Sequence, residues 1–215
     1  MLWPFFCVDN FFDNPDEIVD YANTLDFLPC KNPGTRTDAL NYVNEEFFSW
    51  INKKILSVLY PMNYKDIAYN ATTMFCKVPP NLEHDGWIHE DNCEFSCIIY
   101  LSNQKDCGTT IFSPKQQHLK KYENQEKKAQ YFVDQTITDG VAEQKQKNNE
   151  RFEESIIVNP KYNRLIIFDG KMSHAAQTYM SSTSTQPRLT LNSFFNNLTS
   201  TDGALKYHGA EMRRI

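Results

Sequence analysis

The N-terminal third of the chain carries hydrophobic residues at the spacing of amphipathic helices. Asn14-Pro15-Asp16 is typical of a helix start, and the apolar residues that follow it at helical spacing are Ile18, Val19, Tyr21, Ala22 and Leu25. Residues 41–59 repeat the pattern, with Phe47, Phe48, Ile51, Ile55 and Leu56. Residues 5–12 form a predicted opening strand. The pattern predicts two helices that pack against a sheet.

From Asn70 onward the pattern changes to short runs of β-branched and aromatic residues separated by turn residues. The predicted strands are residues 71–78, 95–101, 109–112, 155–158, 165–168, 175–180 and 188–195. Several short strands separated by turn signals favour a sandwich or jelly roll. With the N-terminal helices included, the predicted fold class is mainly β (α+β).

Residues 115–154 interrupt this pattern with a mixed-charge segment rich in Gln, Lys and Glu. Because its charges alternate in sign, one interpretation is a solvated, partly helical insertion between two strands. The other is a lid over a substrate, since long excursions from a compact fold are often functional. We predict one domain over 1–215, with an N-terminal strand and supporting helices in 1–69, a β core in 70–195 that contains the insertion, and a tail in 196–215.

The charge balance and the cysteines narrow the class of protein. There are 22 Lys+Arg against 27 Asp+Glu, giving a net charge of -5, so no global basic field favours nucleic acid. Asp9 and Asp13 follow the apolar residues 1–6 too soon for a signal peptide or a membrane span. The six cysteines form no C-x-x-C pair, which favours reduced thiols. We expect a soluble, intracellular, cytoplasmic protein.

His89-Glu90-Asp91 is the first candidate for chemistry. On a strand, alternate side chains face alternate sides, so His89 and Asp91 share one face while Glu90 points away. His84 lacks a carboxylate two residues on. If a later strand brings His174 to this face, two imidazoles and one carboxylate form the ligand set of non-heme Fe(II) oxygenases. The alternative is that His174 is a surface residue of its turn.

Arg188-Leu189-Thr190 is the second candidate. The polar residues 181–187 are a strong turn signal and predict a hairpin between the strands on either side. Arg188, Thr190 and Asn192 then project to one face of their strand. An arginine that faces a β core requires an anion, and its planar guanidinium binds a carboxylate with two hydrogen bonds. The alternative is that this face is solvated.

These segments, in this order, resemble the Fe(II)- and 2-oxoglutarate-dependent oxygenases, most closely their prolyl 4-hydroxylase-like branch with its small phage-type members. The resemblance covers residues 70–195. It rests on His89-Glu90-Asp91, Cys97-Ile98-Ile99-Tyr100-Leu101-Ser102, Cys107-Gly108-Thr109-Thr110-Ile111-Phe112 in place of Gly-Gly-x-Thr-x-Phe, residues 163–169, and His174 with Arg188-Leu189-Thr190. Cys107 departs from the first glycine of that motif, and Arg188 stands where many prolyl hydroxylases have lysine, which weakens the case for a prolyl substrate.

The resemblance implies a double-stranded β-helix that hydroxylates an unactivated C–H bond of a protein, peptide or small-molecule substrate and releases succinate and CO2. Fe(II) is the implied cofactor, with 2-oxoglutarate and O2 as cosubstrates. The implied metal ligands and catalytic residues are His89, Asp91 and His174. Arg188 and Thr190 are implied to bind the distal carboxylate of 2-oxoglutarate, with Tyr100 as a third contact or as an inward-facing core residue. If the chain is phage-encoded, the expected location is the host cytoplasm.

Two further residues have two interpretations each. Arg36, in Pro33-Gly34-Thr35-Arg36-Thr37, is either a structural cation or one that faces the substrate. Trp87 shares the face of His89 on an extended strand, so it either lines the pocket or fills the core.

Two rival functions stay open. A cupin-like jelly roll that binds a metal or a sugar without oxidation needs no inward Arg188. A metal-dependent isomerase or hydrolase holds Zn(II) at the same three ligands. Because Asp91 fills the third protein position, halide has no vacant ligand site, and hydroxylation is favoured over halogenation. The sequence discloses neither the substrate nor the oligomeric state.

Overall fold

The computed structural model describes residues 5–30, 32–62, 64–82, 86–115, 139–179, 181–182 and 184–200. Its helices are α1 (Pro15–Asn23), α2 (Leu40–Val43), α3 (Glu45–Leu59) and α4 (Asp139–Asn149), with a 3-10 turn at Tyr64–Asp66. Its strands are β1 (Phe6–Val8), β2 (Leu28–Pro29), β3 (Thr35–Arg36), β4 (Ile67–Val78), β5 (Phe95–Tyr100), β6 (Thr109–Pro114), β7 (Phe152–Val158), β8 (Arg164–Asp169), β9 (Ser173–Ala176) and β10 (Arg188–Ser200). The mainly β fold class is confirmed.

The strands form two antiparallel sheets. The major sheet has seven strands in the order β1-β8-β5-β10-β4-β3-β2, and the minor sheet has three in the order β7-β6-β9. In the major sheet β10 lies between β4 and β5, with Arg188 opposite Val78 and Thr190 opposite Tyr100. This two-sheet arrangement confirms the predicted jelly roll.

Helices α1 and α3 cover one face of the major sheet. The side chain of Asn44 caps α3 by accepting a hydrogen bond from Phe47 N at 3.0 Å. Ile51, Ile55 and Leu56 then line the buried side of α3. The residues of β10 in the same hydrophobic cluster are Leu189, Leu191 and Phe195. Because alternate residues of a strand face opposite ways, β10 turns its other residues toward the space between the sheets.

The boundaries differ from the sequence prediction at several places: the opening strand predicted over 5–12 is Phe6–Val8, the strand predicted over 71–78 begins at Ile67, and the one predicted over 175–180 is Ser173–Ala176. The predicted helix over 41–59 is two helices, because Asn44 takes extended backbone (φ -157, ψ 92) and caps α3. Strand β7 begins at Phe152, inside the segment predicted as an insertion, and β10 continues to Ser200, inside the predicted tail. Helix α4 agrees with a partly helical insertion. Residues 116–138 of that segment and residues 201–215 of the tail lie outside the described residues.

The hairpin predicted on either side of residues 181–187 is wrong. β9 pairs with β6 in the minor sheet, whereas β10 pairs with β4 and β5 in the major sheet. Because both edges of β10 already have partners, no edge is left for β9. The connecting segment crosses between the sheets, and Asp106 anchors it by accepting hydrogen bonds from Ser181 Oγ at 2.9 Å and Ser182 N at 2.6 Å.

Within the described residues, none of the helices has the length and apolar character that a membrane span requires.

An ion-pair cluster joins the end of β1 to β8. Asp9 Oδ1 accepts a hydrogen bond from Arg164 Nε at 2.6 Å, and Asp9 Oδ2 accepts one from Lys161 Nζ at 2.8 Å. The hydrogen bond from Arg164, followed by that from Lys161, holds the pKa of the Asp9 carboxyl below its ordinary value. The ionised carboxylate therefore favours the folded state.

We expect Asp9→Asn to destabilise the protein by about 1 kcal/mol at pH 7, a small value because the cluster is partly exposed to solvent. Since the folded pKa is lowered, the contribution is complete above the unfolded pKa of about 3.9 and is lost as the pH falls toward the folded pKa. Urea unfolding at pH 7 and at pH 3 measures both effects.

The control is Asp13→Asn, because Asp13 is almost fully exposed and its only ion pair within the described residues, to Lys54, is 3.5 Å long. We expect its effect to be smaller at pH 7. A destabilisation by Asp9→Asn that is as large at pH 3 as at pH 7 contradicts the assignment of the stabilisation to the ionised carboxylate.

Candidate metal centre

A pair of main-chain hydrogen bonds holds His89 and His174 opposite each other. His89 N donates to His174 O at 3.0 Å and His174 N donates to His89 O at 2.8 Å, forming an isolated antiparallel bridge on the free edge of β9. Directly opposite residues of antiparallel strands have their side chains on the same face. The two imidazole rings accordingly lie 4.4 Å apart between centroids.

Hydrogen bonds at the far side of each ring orient it. His89 Nδ1 lies 2.7 Å from Trp87 O, and His174 Nδ1 lies 2.9 Å from Met172 O. A carbonyl oxygen can only accept, so each Nδ1 carries a proton and each Nε2 is the nitrogen that faces Asp91. Each ring thus presents Nε2 to the site and makes at Nδ1 the outer hydrogen bond that metal-binding histidines usually make.

Asp91 faces both Nε2 atoms. Its Oδ1 lies 3.6 Å from His89 Nε2 and its Oδ2 lies 3.3 Å from His174 Nε2. Burial alone raises the pKa of the Asp91 carboxyl, but the hydrogen bond and charge of His174, with smaller contributions from His89 and Ser96, bring the pKa below its ordinary value. The carboxylate is ionised and able to bind a cation.

The structure brings His89, Asp91 and His174 together in a space fit for one metal ion. One ligand atom from each residue lies within 4.8 Å of the other two, and this is the only such group in the described ranges. Two imidazole nitrogens and one carboxylate are the donors of the facial triad that binds Fe(II) in non-heme oxygenases. His84, the alternative that the sequence disfavoured, lies outside the described residues.

Ser96 and Gly170 support Asp91, and the sequence alone did not reveal either. Ser96 Oγ, on β5, donates to Asp91 Oδ2 at 2.6 Å, and Asp91 N donates to Gly170 O at 2.7 Å. Gly170 packs against Cys93 so closely that an added Cβ lies 2.7 Å from Cys93 Sγ. The Gly170 contacts link distant parts of the chain, and Ser96 reaches Asp91 across the turn between them, so alternation along a strand predicts neither.

Two asparagines at the end of α4 hold the segment that carries His89. Asn148 Nδ2 donates to Ile88 O at 2.9 Å, Ile88 N donates to Asn149 Oδ1 at 3.1 Å, and Asn149 Nδ2 donates to Gly86 O at 3.0 Å. The end of the predicted insertion thus braces the metal-binding segment. Asparagines in a charge-rich segment are ordinary surface residues, so the sequence carried no signal for this role.

The triad opens into a cavity of about 170 Å³ between the two sheets. Its lining includes Ser96 and Ile98 of β5, Asn192 and Phe194 of β10, and the triad itself. Trp87, for which the sequence left two interpretations, lies in the cavity wall, as does Arg36 of β3. The minor sheet contributes Thr109, His174, Ala175 and Ala176.

Arg188 lies in the same cavity wall and is only 7% exposed. Its Nε donates to Cys107 O at 2.9 Å, and its guanidinium carbon lies 5.5 Å from the centroid of the Tyr100 ring. No carboxylate of the described residues forms an ion pair with Arg188. A buried guanidinium without an anion is costly, so this wall is suited to an anionic ligand.

The two other residues that the sequence placed near this ligand lie beside Arg188. Thr190 Oγ1 is buried and has no hydrogen-bond partner among the described residues, and the same holds for Asn192 Oδ1. The Tyr100 hydroxyl lies 2.7 Å from Thr109 Oγ1, and Tyr100 is 1% exposed. Unpaired buried polar atoms cost about 1–3 kcal/mol each, so Asn192, which lines the cavity, suits a polar occupant.

Comparisons with known proteins agree with this architecture. A family described as "Family of unknown function (DUF6445)" matches residues 3–195. No curated protein matches the sequence.

Three solved structures are similar in fold. HygX from Streptomyces hygroscopicus, with nickel, 2-oxoglutarate and hygromycin B bound, has a TM-score of 0.54 at 9% identity over 89% of this chain and 82% of that chain. EvdO2 from Micromonospora carbonacea var. aurantiaca has a TM-score of 0.57 at 10% identity over 94% and 89%. The Trichoplax adhaerens prolyl hydroxylase, in complex with a hypoxia inducible factor peptide fragment, has a TM-score of 0.52 at 11% identity over 89% and 83%.

We expect Gly170→Ala to destabilise the protein by about 1–3 kcal/mol, because the new methyl group overlaps Cys93 and the backbone that bonds to Asp91 has to move. Urea unfolding measures the change. The control is Lys53→Ala at an exposed position of α3, with an expected cost under about 0.5 kcal/mol. Equal stabilities of the two variants contradict the close packing at Gly170.

Proposed function

We propose that this chain, which belongs to the DUF6445 family, is an Fe(II)- and 2-oxoglutarate-dependent dioxygenase that hydroxylates an unactivated C–H bond of its substrate. The observation that carries the proposal is the presence, in one cavity, of a His-Asp-His triad and a buried arginine without an anionic partner. A metal site alone is compatible with many functions. The second, anion-binding group is what a diacid cosubstrate requires.

His89, Asp91 and His174 are the proposed metal ligands and catalytic residues. Their donor set suits Fe(II), and because all three protein ligands lie on one face of the ion, the opposite face is open. The outer hydrogen bonds of both rings and of Asp91 keep the donor atoms pointed at the ion. The residues present therefore fit the metal.

Arg188 and Thr190 are the proposed anchors of the distal carboxylate of 2-oxoglutarate. The guanidinium binds a carboxylate with two hydrogen bonds, and the unpaired Thr190 hydroxyl adds a third. Tyr100 is the proposed third residue of this subsite, since its ring lies under the guanidinium and its hydroxyl is joined to Thr109. The anion removes the cost of burying Arg188 unpaired.

When bound, Fe(II), 2-oxoglutarate and O2 supply an oxidant strong enough to attack a C–H bond, with succinate and CO2 as the other products. The protein places the target carbon and keeps the reaction away from bulk water. Trp87, Ile98, Phe168 and Phe194 give the cavity apolar wall area for this purpose. Asp91 occupies the position that a halide needs, so we propose hydroxylation rather than halogenation.

The similar folds support this proposal without choosing a substrate. HygX is described with 2-oxoglutarate and hygromycin B, and the Trichoplax enzyme with a peptide. We further propose that the chain is related to the prolyl 4-hydroxylase-like branch of these enzymes. The segment Gly108-Thr109-Thr110-Ile111-Phe112 supports this assignment, and it forms the turn and start of β6 beside Arg188. A protein, a peptide and a small molecule are all compatible with the cavity.

Anaerobic titration with Fe(II) and 2-oxoglutarate tests the cofactors. We expect a visible metal-to-ligand charge-transfer absorption for the wild-type protein, and its loss in His174→Ala and Asp91→Ala because two protein ligands bind Fe(II) far less tightly. Ser96→Ala is the matched comparison, because it leaves the three ligands in place. We expect it to keep the absorption, with an affinity for Fe(II) lower by about 10- to 100-fold. Fe(II) bound without this absorption favours a non-oxidative, cupin-like metal protein, and preferential Zn(II) binding favours an isomerase or hydrolase.

Arg188→Gln tests the anion subsite. We expect the affinity for 2-oxoglutarate to fall by on the order of 100-fold, because loss of one partner of a buried charge pair costs about 2–5 kcal/mol. Affinity for Fe(II) alone stays near that of wild type, and Arg188→Lys recovers part of the 2-oxoglutarate affinity by keeping the charge. Unchanged 2-oxoglutarate affinity in Arg188→Gln contradicts the proposed role.

A further inference from the structure

Arg36 is a second arginine in the cavity wall, outside the proposed cosubstrate subsite. On β3 it lies directly opposite Cys76 of β4, and Cys76 lies directly opposite Thr190 of β10. Directly opposite residues in antiparallel strands share a face, so Arg36 and Thr190 project into the same interior. At about 4.8 Å per strand, their Cα atoms lie about 10 Å apart, which puts Arg36 at a different part of the cavity.

The guanidinium of Arg36 has almost no compensation within the described residues. Its Nη1 contacts Met74 Sδ at 3.7 Å, a weak acceptor, and its Nε is buried without a hydrogen-bond partner. No carboxylate of the described residues forms an ion pair with it. A structural arginine normally has a carboxylate or several carbonyl acceptors. Within the described residues, Arg36 Nε has no acceptor, and Arg36 lines the cavity.

The charges of the cavity remain unbalanced even when the proposed cofactors are present, a step that rests on the proposed function. The charged residues of the described lining are Arg36, Asp91 and Arg188. Divalent iron and dianionic 2-oxoglutarate cancel each other, and Asp91 cancels one arginine. One positive charge is left over, and Arg36 is the arginine without a proposed ligand.

Polar groups beside Arg36 complete a small recognition site. Met74, which Arg36 contacts, lies directly opposite Asn192, whose side chain also lines the cavity and whose amide Nδ2 is a hydrogen-bond donor. Tyr179 also lines the cavity. Burial raises the pKa of Tyr179, so its hydroxyl stays a neutral donor. A guanidinium, an amide and a phenol hydroxyl together suit an oxyanion.

We propose that Arg36, with Asn192 and Tyr179, binds an oxyanion of the primary substrate, a carboxylate or a phosphate group. Arg188 holds the cosubstrate and Arg36 holds the substrate, which fixes the substrate's orientation with respect to the triad. The substrate class is thus an acid, and neutral analogues of the same shape bind less tightly because they offer the Arg36 guanidinium no charged acceptor.

Calorimetric titration of the protein loaded with Ni(II) and 2-oxoglutarate tests the proposal without turnover. The probes are N-acetylglycine against N-acetylglycinamide, and phenyl phosphate against phenol. We expect the acid of at least one pair to bind at least about 10-fold more tightly than its neutral partner, and the pair that shows this distinguishes carboxylate from phosphate. Equal binding within both pairs, or no binding of either acid, overturns the proposal.

Arg36→Gln and Arg36→Lys assign the preference to this residue. We expect Arg36→Gln to abolish the preference for the acid while its 2-oxoglutarate affinity stays within about 2-fold of wild type, and Arg36→Lys to keep part of the preference. Circular dichroism and thermal unfolding show whether Arg36→Gln is folded. If it is not, the acid preference of Arg36→Lys is compared with that of the wild-type protein instead. A loss of 2-oxoglutarate affinity in Arg36→Gln as large as in Arg188→Gln makes Arg36 a cosubstrate residue and overturns the proposal.

Failure of the proposed function is separable from failure of this inference. If the wild-type protein shows no charge-transfer absorption with Fe(II) and 2-oxoglutarate, the oxygenase proposal fails. The oxyanion titration is then done with the Arg188→Gln variant, without metal or cosubstrate. In this variant Arg36 is the one arginine left in the described lining of the cavity. Tighter binding of the acid there, lost in the Arg36→Gln/Arg188→Gln double variant, supports the oxyanion site by itself. No preference in the single variant overturns it.

Discussion

The arrangement of the cavity depends on the two main-chain hydrogen bonds between His89 and His174. β9 is four residues long and has β6 on one edge, so this bridge is what joins the segment before β5 to the minor sheet. Main-chain bonds set the spacing of the two rings without relying on the side chains themselves. The amides of Asn148 and Asn149 hold the same segment from its other side. The triad is therefore built on two short pieces of extended chain that are each fixed at several atoms.

Much of this architecture follows from alternation along single strands. His89 and Asp91 share a face because extended chain has a period of two, and the same period separates Arg188 and Asn192 from Leu189 and Leu191. Alternation names two faces of a strand but not which one is interior. The structure decides this for β10, since Leu189 and Leu191 contact the helices, and Arg188 faces the cavity.

The features that the sequence did not predict are those that depend on long-range pairing. Residues 181–187 are rich in turn residues, and such a segment suits a tight hairpin and a crossing between sheets equally well. The choice is made by β4 and β5, which occupy both edges of β10. In the same way, Gly170 and Asn148 act through partners far along the chain, and hydrophobic patterning carries no information about such contacts. The sequence did not predict the break at Asn44, because the apolar spacing continues across it. The helical backbone does not continue, since Asn44 is extended.

Strand β10 is a single layer of chain between two environments of opposite character. On one side Leu189, Leu191 and Phe195 belong to the dry helical core, and on the other Arg188 and Asn192 face the cavity. A molecule bound to Arg188 has to be released before β10 can leave the major sheet, and the helices lose their support when β10 leaves. Under the proposed function, occupancy of the cavity is coupled to the lifetime of the whole helical layer, so that resistance to proteolysis across α3 reports binding at a cavity whose described lining contains no residue of α3.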